Sequence, residues 1–303
     1  GFPGLSEQQH RELADWLASG AVGVPRPTPG PQEQASIERW ETFFNGLSLK
    51  QKLASRYIYE HLFLGDLYFS DLPQESAFYS LVRSRTPPGE PIDIIATRRP
   101  YDSPGKGEFF YRLQPVRSSI LDKRHMPYAL NDARMERWRE LFLQAQYTVT
   151  RLPGYKPEVA SNPFVAFREL PVQSRYEFML DEAQFTIMGY IKGPVCRGQV
   201  ALNVIEDHFW VIFTDPNLID PDQDAEFLAR ESDNMRLPSG NNGLIGALVE
   251  WRQYARGQRK FLKAKSRMLE AAAENDQLPI NFDLIWDGDG SNDNAALTIF
   301  RHN

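Results

Sequence analysis

The chain has 303 residues, 42% of them apolar and 24% charged, the balance of a globular protein with a substantial core in one large or two modest domains. A net charge of −6 argues against a nucleic-acid partner, and a single cysteine excludes an internal disulfide framework or a cysteine-rich zinc or iron–sulfur centre. The longest apolar runs, such as HFWVIF, fall far short of the ~20 residues of a membrane-spanning helix. The first residues lack the basic start and apolar core of a signal peptide, and the opening GFPGLSEQQH without a methionine reads as a piece cut from a longer protein.

In chain order, residues 6–20 predict a helix capped by Ser6, with Leu13, Trp16 and Leu17 as its apolar stripe. GVPRPTPGP follows as a semi-rigid linker, placed at 24–32. Helices are expected over 33–46 and 48–64, the second carrying Leu53, Tyr57, Ile58, His61, Leu62 and Leu64 at helical spacing. AFYSLVRSR, PIDIIATRR and GEFFYRLQPV read as three strands parted by proline- and glycine-rich turns. A helix over 131–146 opens on Asn131 or Asp132 and presents Met135, Trp138, Leu141 and Phe142. Shorter helices are expected at 162–170 and 172–192, then one or two strands in VALNVIEDHFWVIF and a long helix over 241–275. FDLIWDGDG and NAALTIFRH read as a closing hairpin. The fold class is α+β, mainly helical with a small antiparallel sheet and a C-terminal hairpin.

Three groups of residues could carry chemistry. Cys196 stands beside Arg197, which favours a thiolate, and His208 could serve it as a base; the plain alternative is a small buried thiol in ordinary packing. Glu60-His61 and Asp207-His208 are acid–histidine neighbours, but adjacent residues do not face each other, so neither is a dyad by local geometry. No metal-ligand set is complete. Arg83, Arg85, Arg98, Arg99 and Arg112 cluster in a short span, and alternation puts Arg83 and Arg85 on one strand face, suited either to a carboxylate or phosphate or to surface ion pairs. The interval 252–267 holds seven basic residues and no acidic one, which suits an anionic membrane surface or a solvated helix face.

The blocks YIYEHLFLGDLYF, LVRSRTPPGEPIDIIATRRPYDSPG, KRHMPYAL, RYEFMLDEAQFTIMGYIKGPVCRGQVALNVIEDHFWVIFTDP and DLIWDGDGSNDNAALTIFRH together resemble the bacterial fatty acid cis–trans isomerase family. The resemblance spans about 57 to 302 and implies a periplasmic enzyme that turns cis-unsaturated fatty acyl chains to trans and so stiffens the membrane under stress. It also implies a covalently attached c-type haem bound through Cys-x-x-Cys-His, a motif this sequence lacks. Residues 1–23 are similar to the closing helix of a cytochrome c domain, so 33–303 is expected to be the central isomerase-family domain, partnered by a haem-bearing region upstream and by the membrane surface. On this reading Arg83, Arg85, Arg98 and Arg99 bind the acyl carboxylate, and His61, His125 and Met126 are candidates for a ligand or neighbour of the iron. Cys196, Arg197 and His208 stay as pocket residues. A non-catalytic lipid-binding module and a Cys196-dependent enzyme remain the other readings.

Overall fold

The computed structural model describes residues 4–21, 23, 28–73, 77–117, 125–183, 185–186, 208–218, 220–235, 247–275, 278, 281–286 and 297–301. Helix α1 (Glu7–Ala18) opens on a reciprocal capping box, the Ser6 hydroxyl accepting from the Gln9 amide and the Gln9 side chain accepting from the Ser6 amide. Gly20, in the left-handed region at φ 94°, ends it. Leu13, Trp16 and Leu17 form the expected stripe, yet no residue of α1 is buried. Of the expected linker, 24–27 lie outside the described residues.

Pro31 in its first turn starts α2 (Pro31–Phe44), and the Ser48 hydroxyl caps α3 (Leu49–Leu62). Gly65 then turns the chain into β1 (Asp66–Phe69); a Cβ there would meet the Leu62 carbonyl oxygen at 3.1 Å. With β2 (Tyr79–Ser84), β3 (Phe110–Pro115) and β4 (Pro127–Leu130) it builds a four-stranded sheet in the order β3-β2-β1-β4. β2 and β3 are antiparallel, with Tyr79 opposite Pro115 and Ser84 opposite Phe110. β1 and β4 are parallel, with Asp66 opposite Pro127, so the sheet is mixed where an antiparallel one was expected.

PIDIIATRR is not a strand of this sheet. β1 meets β2 only at Leu67–Tyr79, which leaves the far end of that edge of β2 open. Residues 93–95 fill it: the Ile95 amide donates to the Arg83 carbonyl (2.8 Å) and the Arg85 amide to that of Asp93 (2.9 Å), around one bridge from Ser84 to Ile94. Beyond it, side chains rather than a ladder hold the backbone. The Arg99 amide and guanidinium both donate to the Asp102 carboxylate, closing a loop.

Asn131 caps α4 (Asp132–Arg139), whose last turn widens into a π-helical segment, Glu140–Gln144. Lys50 Nζ donates to the Leu143 and Ala145 carbonyls at 2.8 and 2.6 Å, satisfying acceptors that the helix end leaves over. Three short helices follow, α5 (Pro157–Ala160), α6 (Pro163–Ala166) and α7 (Val172–Leu180). Further on, β5 (His208–Ile212) pairs antiparallel with β6 (Leu297–Arg301). The tail strand thus takes β5 as its partner, while 282–286, the described part of its expected partner, forms the 3-10 turn Phe282–Leu284 and a bridge from Ile285 to Thr214. Helices α8 (Pro221–Glu231) and α9 (Ala247–Glu274) complete the described chain, a mainly helical α+β fold.

The main core lies between α2, α3, α4, α7 and the sheet and is rich in aromatic rings. Trp40 meets Trp138 edge-on, with centroids 5.3 Å apart, and Phe43, Phe44, Phe142 and Phe178 pack around them. Such contacts add about 0.5–1.5 kcal/mol each beyond simple burial. One ion pair crosses this core. Arg112 Nε donates to Glu41 at 2.8 Å, and the other Glu41 oxygen accepts from the Leu113 amide, joining α2 to β3. The same guanidinium donates to the Pro87 and Glu90 carbonyls, so it also fixes the turn after β2.

Candidate functional site: a desolvated arginine–tyrosine cluster

Residues 53–59 of α3 are buried without interruption, so any polar group on that stretch must find its partner inside the protein. Arg56 does so in several directions. Its Nε donates to Glu60 at 2.8 Å one helical turn on, and its Nη1 to the carbonyls of Pro153 (2.8 Å) and Gly154 (3.4 Å). Its guanidinium lies 4.0 Å from the centre of the Tyr155 ring. From the sheet, Arg83 comes to the same place, 5.2 Å over the Tyr59 ring. Its Nη1 donates to the Asp102 carbonyl (2.8 Å) and its Nη2 to the Thr97 hydroxyl (2.7 Å). Tyr111 of β3 packs against Tyr59 with centroids 5.2 Å apart.

Arg56 is thus paired with Glu60 and the charge of Arg83 acts on the same carboxyl, with both guanidinium groups buried: Arg83 is 1% exposed and Arg56 5%. Among the described residues two of their N–H groups, Arg56 Nη2 and Arg83 Nε, are buried with no partner at hydrogen-bond geometry, although the Arg83 guanidinium is near enough to the Tyr59 and Tyr155 hydroxyls to act on both phenols. An unfilled charged donor is costly, about 1–3 kcal/mol or more, and an anionic oxygen is the group that satisfies it best. Burial pushes the Glu60 carboxyl up, and the guanidinium groups of Arg56 and Arg83 bring it part of the way back. Burial likewise raises the phenols of Tyr59, Tyr111 and Tyr155, which keeps all three protonated and able to donate. The cluster has more positive than negative charge and two buried donors left over among the described residues.

The structure spreads the four expected carboxylate-binding arginines rather than gathering them. Arg83 is the buried member. Arg85 lies beyond the end of β2, exposed and paired with Asp93 at 3.0 Å. Arg98 is exposed, and Arg99 is spent on Asp102 and stacked over Tyr101. Arg56, Glu60 and Tyr155, which complete the cluster, escape a sequence reading. An Arg and a Glu four apart on a helix look like a surface pair, and only the apolar residues all round α3 hint otherwise.

The candidate iron neighbours also separate. Met126 is 2% exposed and belongs to the core. The His61 ring lies between Tyr57 (4.1 Å) and Phe178 (5.8 Å), its Nδ1 2.7 Å from the Tyr57 carbonyl. Its residue keeps some exposed edge, yet burial of the ring holds the imidazole neutral, with a pKa lowered to about 4. His125 faces elsewhere: Nδ1 is 3.0 Å from the Asp66 carboxylate, with Phe78 edge-on at 5.0 Å. Cys196 and Arg197 lie outside the described residues, and His208 opens β5. Among the described residues, no group of three His, Cys, Asp or Glu side chains could hold a metal ion. An open groove of about 380 Å³ beside α2 is lined by Gln32, Ala35, Arg39 and Leu72, but its arginine is already paired with Asp71 and Asp132.

A mainly helical α+β protein with a buried cationic cluster of this kind is suited to holding an anionic group. The family model of fatty acid cis/trans isomerase (CTI) matches residues 1–303, and the chain belongs to that family. Membership gives it a cis–trans isomerase role on fatty acyl substrates. No curated protein and no solved structure matches the chain. No helix among the described residues is long and apolar enough to cross a membrane.

Proposed function

We propose that the chain is the acyl-binding part of a periplasmic isomerase that converts cis-unsaturated acyl chains of membrane lipids to trans, with a c-type haem attached elsewhere in the same parent protein. The carrying observation is the pair of unfilled, buried N–H groups on Arg56 and Arg83. In this reading they donate to a carboxylate or phosphate oxygen of the substrate, and the protonated Tyr59, Tyr111 and Tyr155 supply further donors. Binding the charged end in a water-free place fixes where along the apolar chain the double bond falls.

Rotation about an unactivated C=C bond needs its π component weakened, and a redox-active haem iron, when bound, would supply that by withdrawing and returning electron density, so that nothing would be consumed. Covalent attachment does not fit this chain, whose one cysteine is Cys196. A single histidine of this chain would fit as a ligand to that iron. The Asp66 carboxylate orients the His125 ring through Nδ1, an arrangement usual for metal-binding histidines, and leaves Nε2 for iron. The core position of Met126 and the enclosed ring of His61 favour His125 over both. Leu13 and Leu17 of α1, 43% and 57% exposed, give this reading an apolar surface to pack against an upstream cytochrome c-like unit.

The test uses the haem-loaded parent protein and oleate, with trans product read by gas chromatography. Arg83→Gln and Arg56→Gln should each raise KM about 10- to 100-fold with little change in kcat, the loss of a hydrogen bond to a charged group. Circular dichroism establishes that each variant is folded. Folded variants with an unchanged KM remove the anchor, and a parent protein without haem absorption or trans product removes the isomerase reading.

A further inference from the structure

Helix α9 has two opposite faces. Tyr254, Gly257, Phe261, Ala264 and Met268 recur at helical spacing on the half-buried side. Phe261 packs on Phe227 of α8 with centroids 5.8 Å apart, and Gly257 lets the helix close onto Asn234, whose carbonyl oxygen would stand 3.0 Å from a Cβ. On the opposite side Arg252, Arg256, Arg259, Lys260, Lys263 and Arg267 fall within about 100° of arc and extend over about 22 Å. All six are exposed, and among the described residues none takes part in an ion pair or a side-chain hydrogen bond. Lys265 points away from this stripe, and its charge acts on the half-buried Asp224 of α8. Glu270 and Glu274 lie beyond Arg267 and bound the stripe. Leu262 and Leu269, 53% and 39% exposed, run along one flank.

In a chain of net charge −6, six cations on one straight face with no ion-pair partner among the described residues are a local reversal of sign. We propose that this face docks on an anionic lipid bilayer, the basic side chains at the headgroups and the two leucines dipping beside them, so that the enzyme lies on the membrane that holds its substrate. This rests on the isomerase reading for its purpose but not for its physics. Charge complementarity selects the bilayer, each near-surface basic residue strengthening adsorption several-fold, and the flanking leucines suit an interface between water and hydrocarbon. A nucleic acid offers the same charge but nothing to receive the leucines.

The test is co-sedimentation of the full chain with phosphatidylglycerol or phosphatidylcholine vesicles. Binding to phosphatidylglycerol alone is expected, and it should fade as salt rises from about 0.02 M to about 0.5 M. The triple variant Arg259→Glu, Lys260→Glu, Lys263→Glu should bind at least about 100-fold more weakly with an unchanged melting temperature. Leu262→Ser should weaken binding while leaving its salt dependence in place. Equal binding to both lipids, undiminished binding by the triple variant, or displacement from vesicles by duplex DNA overturns the proposal. Turnover of detergent-dispersed oleate by the parent protein is read separately. Vesicle binding without that turnover upholds docking and removes the isomerase reading, whereas turnover without vesicle binding removes docking alone.

Discussion

Replacing Glu60 by glutamine takes away the carboxylate that pairs with Arg56 and feels the charge of Arg83, and it keeps the size of the side chain. Removing one partner of a buried ion pair costs about 3–5 kcal/mol, because the other charge is left uncompensated away from water. Arg56 retains the Pro153 and Gly154 carbonyls and its seat over Tyr155, which offset part of the loss. We therefore expect a loss of about 3 kcal/mol at alkaline pH, or a melting temperature lower by about 6 °C. The same substitution leaves the cluster more positive and better disposed to a foreign carboxylate. Oleate at about a hundred times its Kd should restore about 2.7 kcal/mol, and it should bind the variant more tightly than the parent sequence. Urea unfolding with and without oleate, with oleyl alcohol as the uncharged control, measures both effects. A variant within about 1 kcal/mol of the parent, or equal stabilisation by oleate and oleyl alcohol, would show that the cluster is not the strained cationic site described above.

Three more perturbations probe the frame around it. Glu41→Gln should cost about 3 kcal/mol in urea unfolding by leaving Arg112 buried and unpaired, while Glu41→Leu combined with Arg112→Met should recover much of it; a double variant no better than the single would contradict this. His61 is held neutral, first by burial and then by the nearby Arg175, against a hydrogen bond to the Tyr57 carbonyl that favours the proton. Below pH 6.5 the unfolded chain gains a proton that the folded chain refuses until about pH 4. Stability should thus be full above pH 6.5 and fall between 6.5 and 4 by no more than about 3 kcal/mol. His61→Phe should flatten that part of the profile, and an unchanged slope would count against it. Gly257→Leu should push α9 off the Asn234 backbone and cost about 2 kcal/mol, read from the thermal midpoint; a wild-type midpoint would mean that the contact is not close.

Much of the helical framework is legible one residue at a time. Ser6 and Asn131 announce helix starts because a cap is a bond between neighbours, and Met135, Trp138, Leu141 and Phe142 keep a buried stripe through the widened last turn of their helix. The basic stripe of α9 is equally plain, since one helix suffices to display it. Strands that depend on distant partners are not. β1 and β4 are four residues each and become strands only because they lie parallel to one another. Residues 91–99 have strand-like composition but meet an edge with room for a single bridge.

The cluster divides along the same line. Alternation along LVRSR marks Arg83 as a residue of interest, and the sequence blocks identify the isomerase family. Nothing near Arg83 in sequence tells that Arg56 and Glu60 face it from a helix, that Tyr155 covers Arg56, or that Arg85 and Arg98 stay in water. By itself, the amino-acid order determines helices, caps and the charge of a face, because these are set by residues within a turn or two. Only the tertiary structure decides which arginine loses its water, since desolvation depends on everything that folds over a group, and it is that loss which makes Arg83 and Arg56 a candidate grip for an anion.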